Sequence, residues 1–88
     1  MDTIRLRYFC TVARLGSATA AAKELNVTVA AVSKSVRALR DELGYDLVVP
    51  HGRGLIVTDH GRLVAERADR LLADLDALYD PESLSNRT

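Results

Sequence analysis

Lys34, Arg37 and Arg53 are the residues of this chain best placed to do chemistry on a charged partner. Lys34 and Arg37 are three residues apart, so on a helix they share one side. Arg53 stands between two glycines in Gly52-Arg53-Gly54, a composition that marks the tip of a turn. Cations held this way neutralise phosphates or donate to base edges. Thr28, Val29, Ala30 and Ser33 precede or join the pair in the first turns of the same helix. Thr28 and Ser33 can hydrogen-bond, and Val29 can touch a thymine methyl. Taken alone, Lys34 and Arg37 read equally well as solvated helix charges, Ser33 as a surface serine and Arg53 as a hairpin tip. The elements that carry them decide between these readings.

The apolar spacing predicts a first helix from about Ile4 to Leu15, capped by Asp2 or Thr3. Leu6, Phe9, Val12 and Ala13 form its inward stripe, and Gly16 ends it. Ser17 then caps a short, alanine-rich second helix, Ala18 to Leu25. Ala20, Ala21 and Ala22 there allow another helix close, and Asn26 closes the helix in the left-handed region. A third helix runs roughly from Thr28 to Leu43, with Thr28 as cap and Val27 set to staple onto Val32. Val32, Val36, Leu39 and Leu43 face inward, and Gly44 stops the helix. The period then changes to two β-prone runs, Leu47-Val48-Val49 and Leu55-Ile56-Val57, joined by Pro50-His51-Gly52-Arg53-Gly54. Thr58 caps a last helix from Asp59 to about Tyr79, which Pro81 and a polar tail end.

Helix, tight turn, helix and hairpin make a mainly α fold, the winged helix-turn-helix, here followed by a long C-terminal helix. The frame gives the cations a role. The second helix braces the third in a major groove, and the hairpin carries Arg53 to an adjacent groove. Residues 1–58 form the DNA-binding domain of this reading, 59–80 a linker and dimerisation helix, and 81–88 a flexible tail. Val64, Ala68, Leu71, Leu75 and Leu78 alternate at spacings of four and three, the seam of a helix that pairs with another copy. Leu72 and Tyr79 extend that apolar surface to one side, the end near Val64 is expected to pack on the first helix, and the part from Leu71 onward to project past the domain.

Composition sets limits. The formal net charge is zero, but residues 1–58 carry a net +3 and residues 59–88 a net −3, so only the first part suits phosphate. The single cysteine, Cys10, rules out an internal disulfide and reads as packing. His51 and His60 have no metal-ligand company, and no cofactor is expected. No signal peptide or membrane span is read, so a cytoplasmic protein is expected. No nucleophile–base set or phosphate loop suggests an enzyme.

The residues also resemble a known family. Tyr8-Phe9, Gly16-Ser17, Ala21-Ala22-Lys23-Glu24-Leu25, Val27, Ser33-Lys34-Ser35-Val36-Arg37-Ala38-Leu39, Glu42-Leu43-Gly44, Leu47, Arg53, Thr58 and Gly61 look like the start of LysR-type transcriptional regulators. The likeness covers about residues 1–80 without a gap. It implies a regulator that binds double-stranded DNA as a homodimer, and a larger effector-binding domain that normally follows. That domain is absent from this chain, so any small-molecule effector would bind elsewhere. The chain is then either a fragment or a stand-alone regulator. Departures from the family pattern cluster near the expected DNA face. Thr28-Val29-Ala30 stands where Ser-Gln-Pro is usual, Val48 replaces an aromatic, Pro50 an arginine, Arg40 a glutamate and Ala18 an aromatic. These leave a second reading open: a winged-helix protein-interaction or dimerisation module with reduced DNA readout.

Overall fold

The computed structural model of the protein describes residues 1–82. The elements are α1 (Thr3–Leu15), α2 (Ala18–Leu25), α3 (Val29–Leu43), β1 (Val48–His51), β2 (Gly54–Val57) and α4 (Asp59–Ala77). Each helix begins at a side-chain cap of the kind its sequence specifies. Asp2 accepts from the Ile4 amide, Ser17 from Ala20, Thr28 from Ala31 and Thr58 from Gly61. Asn26, with φ of 58°, turns the chain sharply after α2, and the Val27 amide donates back to the Ala22 carbonyl at 3.0 Å. Val27 and Val32 both join the core, as the staple requires.

The core is built on α1. Phe9 is wholly buried and Val12 nearly so, and α1 packs on α2, α3 and α4. Burying a side chain of this size contributes about 1.5–3 kcal/mol. Ala21 and Ala22 are also buried, and their small size lets α2 approach its neighbours closely. Val32, Val36 and Leu39 supply the inward face of α3. Cys10 lies beside Ala65, and Arg7 beside Asp76, so α1 and α4 run antiparallel.

β1 and β2 pair antiparallel, Val48 opposite Val57 through His51 opposite Gly54. The ladder therefore reaches further toward the tip than the sequence pattern implies. Pro50 and His51 belong to β1, and the connection is only Gly52-Arg53, with Gly52 at φ of 58°. A proline is tolerated because a two-stranded sheet consists of edges only. Leu47 is not in the strand; it is a nearly fully buried plug at the base of the hairpin.

The last helix differs most from expectation. Its inward face is Gly61, Ala65, Ala68 and Leu72. Ala68, expected on an outward seam, is 2% exposed and belongs to the domain's own core. Leu72, expected to one side, is buried as well. Antiparallel packing on α1 takes one flank of the apolar stripe and leaves Leu71, Leu75 and Leu78 out. The helix ends at Ala77, with Leu78 as its cap. Pro81 and Glu82 return to helical geometry, and the remaining tail positions lie outside the described residues. No helix among the described residues is long and apolar enough to cross a membrane.

Gly61 is the most closely confined of the glycines. A Cβ there would lie 2.2 Å from the Leu47 carbonyl oxygen and 2.8 Å from a Val57 methyl. Gly61→Ala is therefore expected to cost about 2 kcal/mol of stability, because α4 must shift off the hairpin base. Chemical denaturation with an unchanged m-value measures it. A loss under about 0.5 kcal/mol, the range of an ordinary surface change, would show that this contact yields freely.

Candidate nucleic-acid interface

The first turn of α3 stands free of the core. Thr28 is exposed, but its hydroxyl is occupied in capping the helix, accepting from the Ala31 amide at 3.0 Å. Val29 is 43% exposed, which places an uncompensated apolar side chain on the surface. Ala30, Lys34 and Arg37 are exposed beside it. At 100° per residue these three fall on the side of α3 away from Val32, Val36 and Leu39.

Ser33 is half-buried, on the flank of α3 that turns toward the hairpin. A groove of about 280 Å³ separates helix from hairpin there, lined by Ser33 and Arg37 on one side and Val49, Pro50 and Gly54 on the other. Arg53 lies next to Gly54 at the hairpin tip, fully in the open. The structure thus brings Ser33 and Arg37 to one groove with the wing, and sets Arg53 at its outer end.

The charges sort themselves by partner. Arg5 pairs with Glu42 at 2.6 Å, Arg7 with Asp76 at 2.8 Å, Arg40 with Asp41 at 3.0 Å, and Arg14 with Glu24. Asp76 is held below the usual carboxylate range, chiefly by the hydrogen bonds it accepts from the Arg7 guanidinium. Among the described residues up to Thr58, the cations without a carboxylate partner are Lys23, Lys34, Arg37 and Arg53. Lys23, on α2, was not singled out by the sequence pattern. Its signal is indirect: every arginine of α1 has an acid within reach, and Lys23 has none.

The remaining titratable groups do not form a site. Cys10 is half-buried between α1 and α4, and its thiol is pushed up to about 12, mainly by burial and then by Asp69. It stays protonated at neutral pH, as a packing cysteine does. His60 stacks on Tyr45 with ring centroids 4.6 Å apart, while His51 is exposed in β1. No cluster of metal-ligating side chains occurs among the described residues.

A second surface lies along α4. Leu71 and Leu78 are 62% and 60% exposed, and Leu75 is 38% exposed. Val64, half-buried, continues this stripe toward the helix start, where Ala68 does not. Met1 and Leu63, unremarked in the sequence, line a groove of about 300 Å³ with Val64 and Leu71. The two surfaces are distinct, and neither competes with the other for residues.

Known proteins share this arrangement. The chain matches the family described as "Bacterial regulatory helix-turn-helix protein, lysR family" over residues 4–62. It is 35% identical over 78 residues to a probable cat1 operon transcriptional activator of Acinetobacter lwoffii, covering 89% of this chain and 26% of that protein. It is 52% identical over 56 residues to the HTH-type transcriptional regulator TrpI of Pseudomonas aeruginosa, covering 64% of this chain and 19% of that protein. The chain therefore spans about a quarter or less of the length of these curated relatives. Among solved structures it superposes on the DNA-binding domain of CbnR in a DNA complex with a TM-score of 0.88 and 32% identity, covering 99% of this chain and 100% of that one. The BenM DNA-binding domain, in complex with catB site 1 DNA, gives a TM-score of 0.87 at 27% identity and covers 100% of this chain and 98% of that one. Three helices, the two-stranded wing and the long last helix constitute a winged helix-turn-helix, and the chain belongs to the LysR family of bacterial regulatory helix-turn-helix proteins.

Proposed function

We propose that this chain is a sequence-specific, non-enzymatic DNA-binding domain of a transcriptional regulator, acting in the cytoplasm as a homodimer. The observation that carries the reading is the partition of charge. The cations left without carboxylates in residues 1–58 are those of the helix-turn-helix and wing. Zero net charge then ceases to be an objection, since phosphates respond to local and not total charge. CbnR and BenM, whose DNA-binding domains are described in complex with DNA, have the same architecture.

In this reading α3 enters the major groove by its N-terminal turns. Val29 and Ala30 face base edges, with Val29 suited to a thymine methyl and unable to hydrogen-bond. Ser33 and Arg37 face the strand that passes between helix and wing. Thr28 orients the helix, Lys34 and Lys23 meet phosphates, and Arg53 reaches the adjacent groove. Residues 1–58 act as the reading unit and α4 as the dimer element.

Changing Arg53 to Ala is expected to weaken duplex binding and to flatten the dependence of log K on log salt by about one unit, if its partner is a phosphate. Titrations at several salt concentrations, on a duplex selected from a random pool, measure this. Binding of the parent that ignores salt would instead favour the interaction-module reading, which the exposed Val29 supports.

The dimer is tested separately. Leu71, Leu75 and Leu78 form an exposed apolar stripe at heptad-like spacing. Replacing all three with Glu is expected to yield a folded monomer with far weaker DNA binding, since one half-site is lost per molecule. Sedimentation read beside circular dichroism checks it. A parent that sediments as a monomer at about 10 µM, where a dimer of useful affinity would hold, sinks the dimer.

A further inference from the structure

The wing is held on one face only, where Val48, Leu55 and Val57 are half-buried against the core. Val49, Pro50, His51, Gly52, Arg53, Gly54 and Ile56 are all exposed. A two-stranded ribbon is marginal on its own. Where Arg53 sits is therefore set by that inward face together with the hairpin base, and Thr58 is the hub of the base.

Besides the helical bond its carbonyl accepts from the Arg62 amide at 2.9 Å, Thr58 makes three hydrogen bonds in three directions. Its amide donates to the Leu47 carbonyl at 3.0 Å, closing the ladder below Val48 and Val57. Its hydroxyl donates to the Asp46 carbonyl at 2.7 Å and accepts from the Gly61 amide at 2.9 Å. One side chain thus joins the segment entering β1 to the first turn of α4. Gly61 presses its backbone on the same Leu47 carbonyl, and the Tyr45 ring lies on His60 alongside. Residues 45–47 and 58–61 form one block, and that block begins immediately after the recognition helix ends at Gly44.

We propose that Thr58 is a positioning residue for DNA recognition: its hydroxyl locks the wing to α4 and so holds Arg53 at a fixed place relative to α3. The proposal rests on the reading of Arg53 as a DNA contact. A contact held ready in the free protein costs less ordering on binding, so loosening its base reduces what the contact contributes. An N-cap that served α4 alone would lower stability without altering the contribution of Arg53.

A double-mutant cycle separates the two. Affinities of the parent, Arg53→Ala, a Thr58 variant and the double variant are measured on the duplex the parent selects from a random pool, well below every melting temperature. Thr58→Val removes both hydroxyl bonds in the same shape. Thr58→Asp still accepts from Gly61, keeping α4 capped and the chain folded, but cannot donate to the Asp46 carbonyl. Arg53→Ala is expected to weaken the parent about tenfold. In either Thr58 background the same change is expected to cost about twofold or less, as fits a contact no longer held ready. Thr58→Ser, which keeps the hydroxyl, restores the tenfold loss. Asp2→Ala, which removes the cap of α1 and none of the Thr58 hydrogen bonds, leaves it unchanged.

An Arg53→Ala loss of the same size in the parent and in Thr58→Asp overturns the positioning role while leaving Arg53 as a contact. No effect of Arg53→Ala in the parent overturns both that contact and the positioning role. A parent that selects no duplex overturns the DNA reading on which they stand.

Discussion

Packing against α1 is the constraint from which every other position in this domain is measured. Phe9 has no exposed surface, and around it close Val12, Ala21, Val32 and Leu39. The three arginines of the same helix each reach a different neighbour: Arg5 to Glu42 on α3, Arg14 to Glu24 on α2 and Arg7 to Asp76 on α4. Exposed pairs of this kind contribute little stability and are screened by salt. Their effect is directional. They engage Glu42 and Glu24 against α1, while Asp41, on the exposed face of α3, pairs with Arg40, so that Lys34 and Arg37 are left without a carboxylate partner. The hydrophobic contact fixes where the helices are, and the ion pairs fix which cations remain available.

The same logic explains how one helix packs on the domain and still carries an apolar flank in solvent. An α-helix in contact with a single neighbour buries only part of its circumference. On α4, the strip through Gly61, Ala65, Ala68 and Leu72 meets the domain, and the leucines on the adjacent flank meet solvent. Small residues dominate the inward strip, which brings α4 close to α1 and to the Leu47 backbone. Large ones dominate the outward flank. Size, more than polarity, tells the two apart.

Local rules were readable in advance, and rules that depend on approach were not. Asp2, Ser17, Thr28 and Thr58 were legible as caps because a cap needs only its own next turn. Gly16, Asn26 and Gly44 were legible as stops for the same reason. A division of α4 at Leu71 was legible, but the burial of Ala68 and Leu72 was hidden because the apolar residues of the helix satisfy a pairing seam and a packing face at once. Ala68 fits both patterns, and only the antiparallel placement on α1 assigns it. The extent of the wing was hidden because Pro50 ordinarily argues against a strand, and edge pairing overrides that. The clamp at Thr58 and Gly61 has no spacing signature, since it is made with carbonyls of residues eleven or more positions earlier. Among the expected reading residues, exposure at Val29, Ala30, Lys34, Arg37 and Arg53 followed from helix period and turn composition. The half-buried setting of Ser33 did not, because it is created by the hairpin folding back.

The buried alanines of α2 act as spacers as much as core. Ala21 and Ala22 hold α2 at the separation a methyl group allows, and α2 in turn props α3. A larger side chain at either place would not be visible from outside, yet it would lift α3 as a rigid rod and change its pitch against the wing. The distance between the exposed face of α3 and Arg53 at the wing tip would change with it. Regulators of this build can thus acquire new site geometry by drift in residues that never touch a partner. A comparison confined to surface positions would assign the change in preference to the wrong residues.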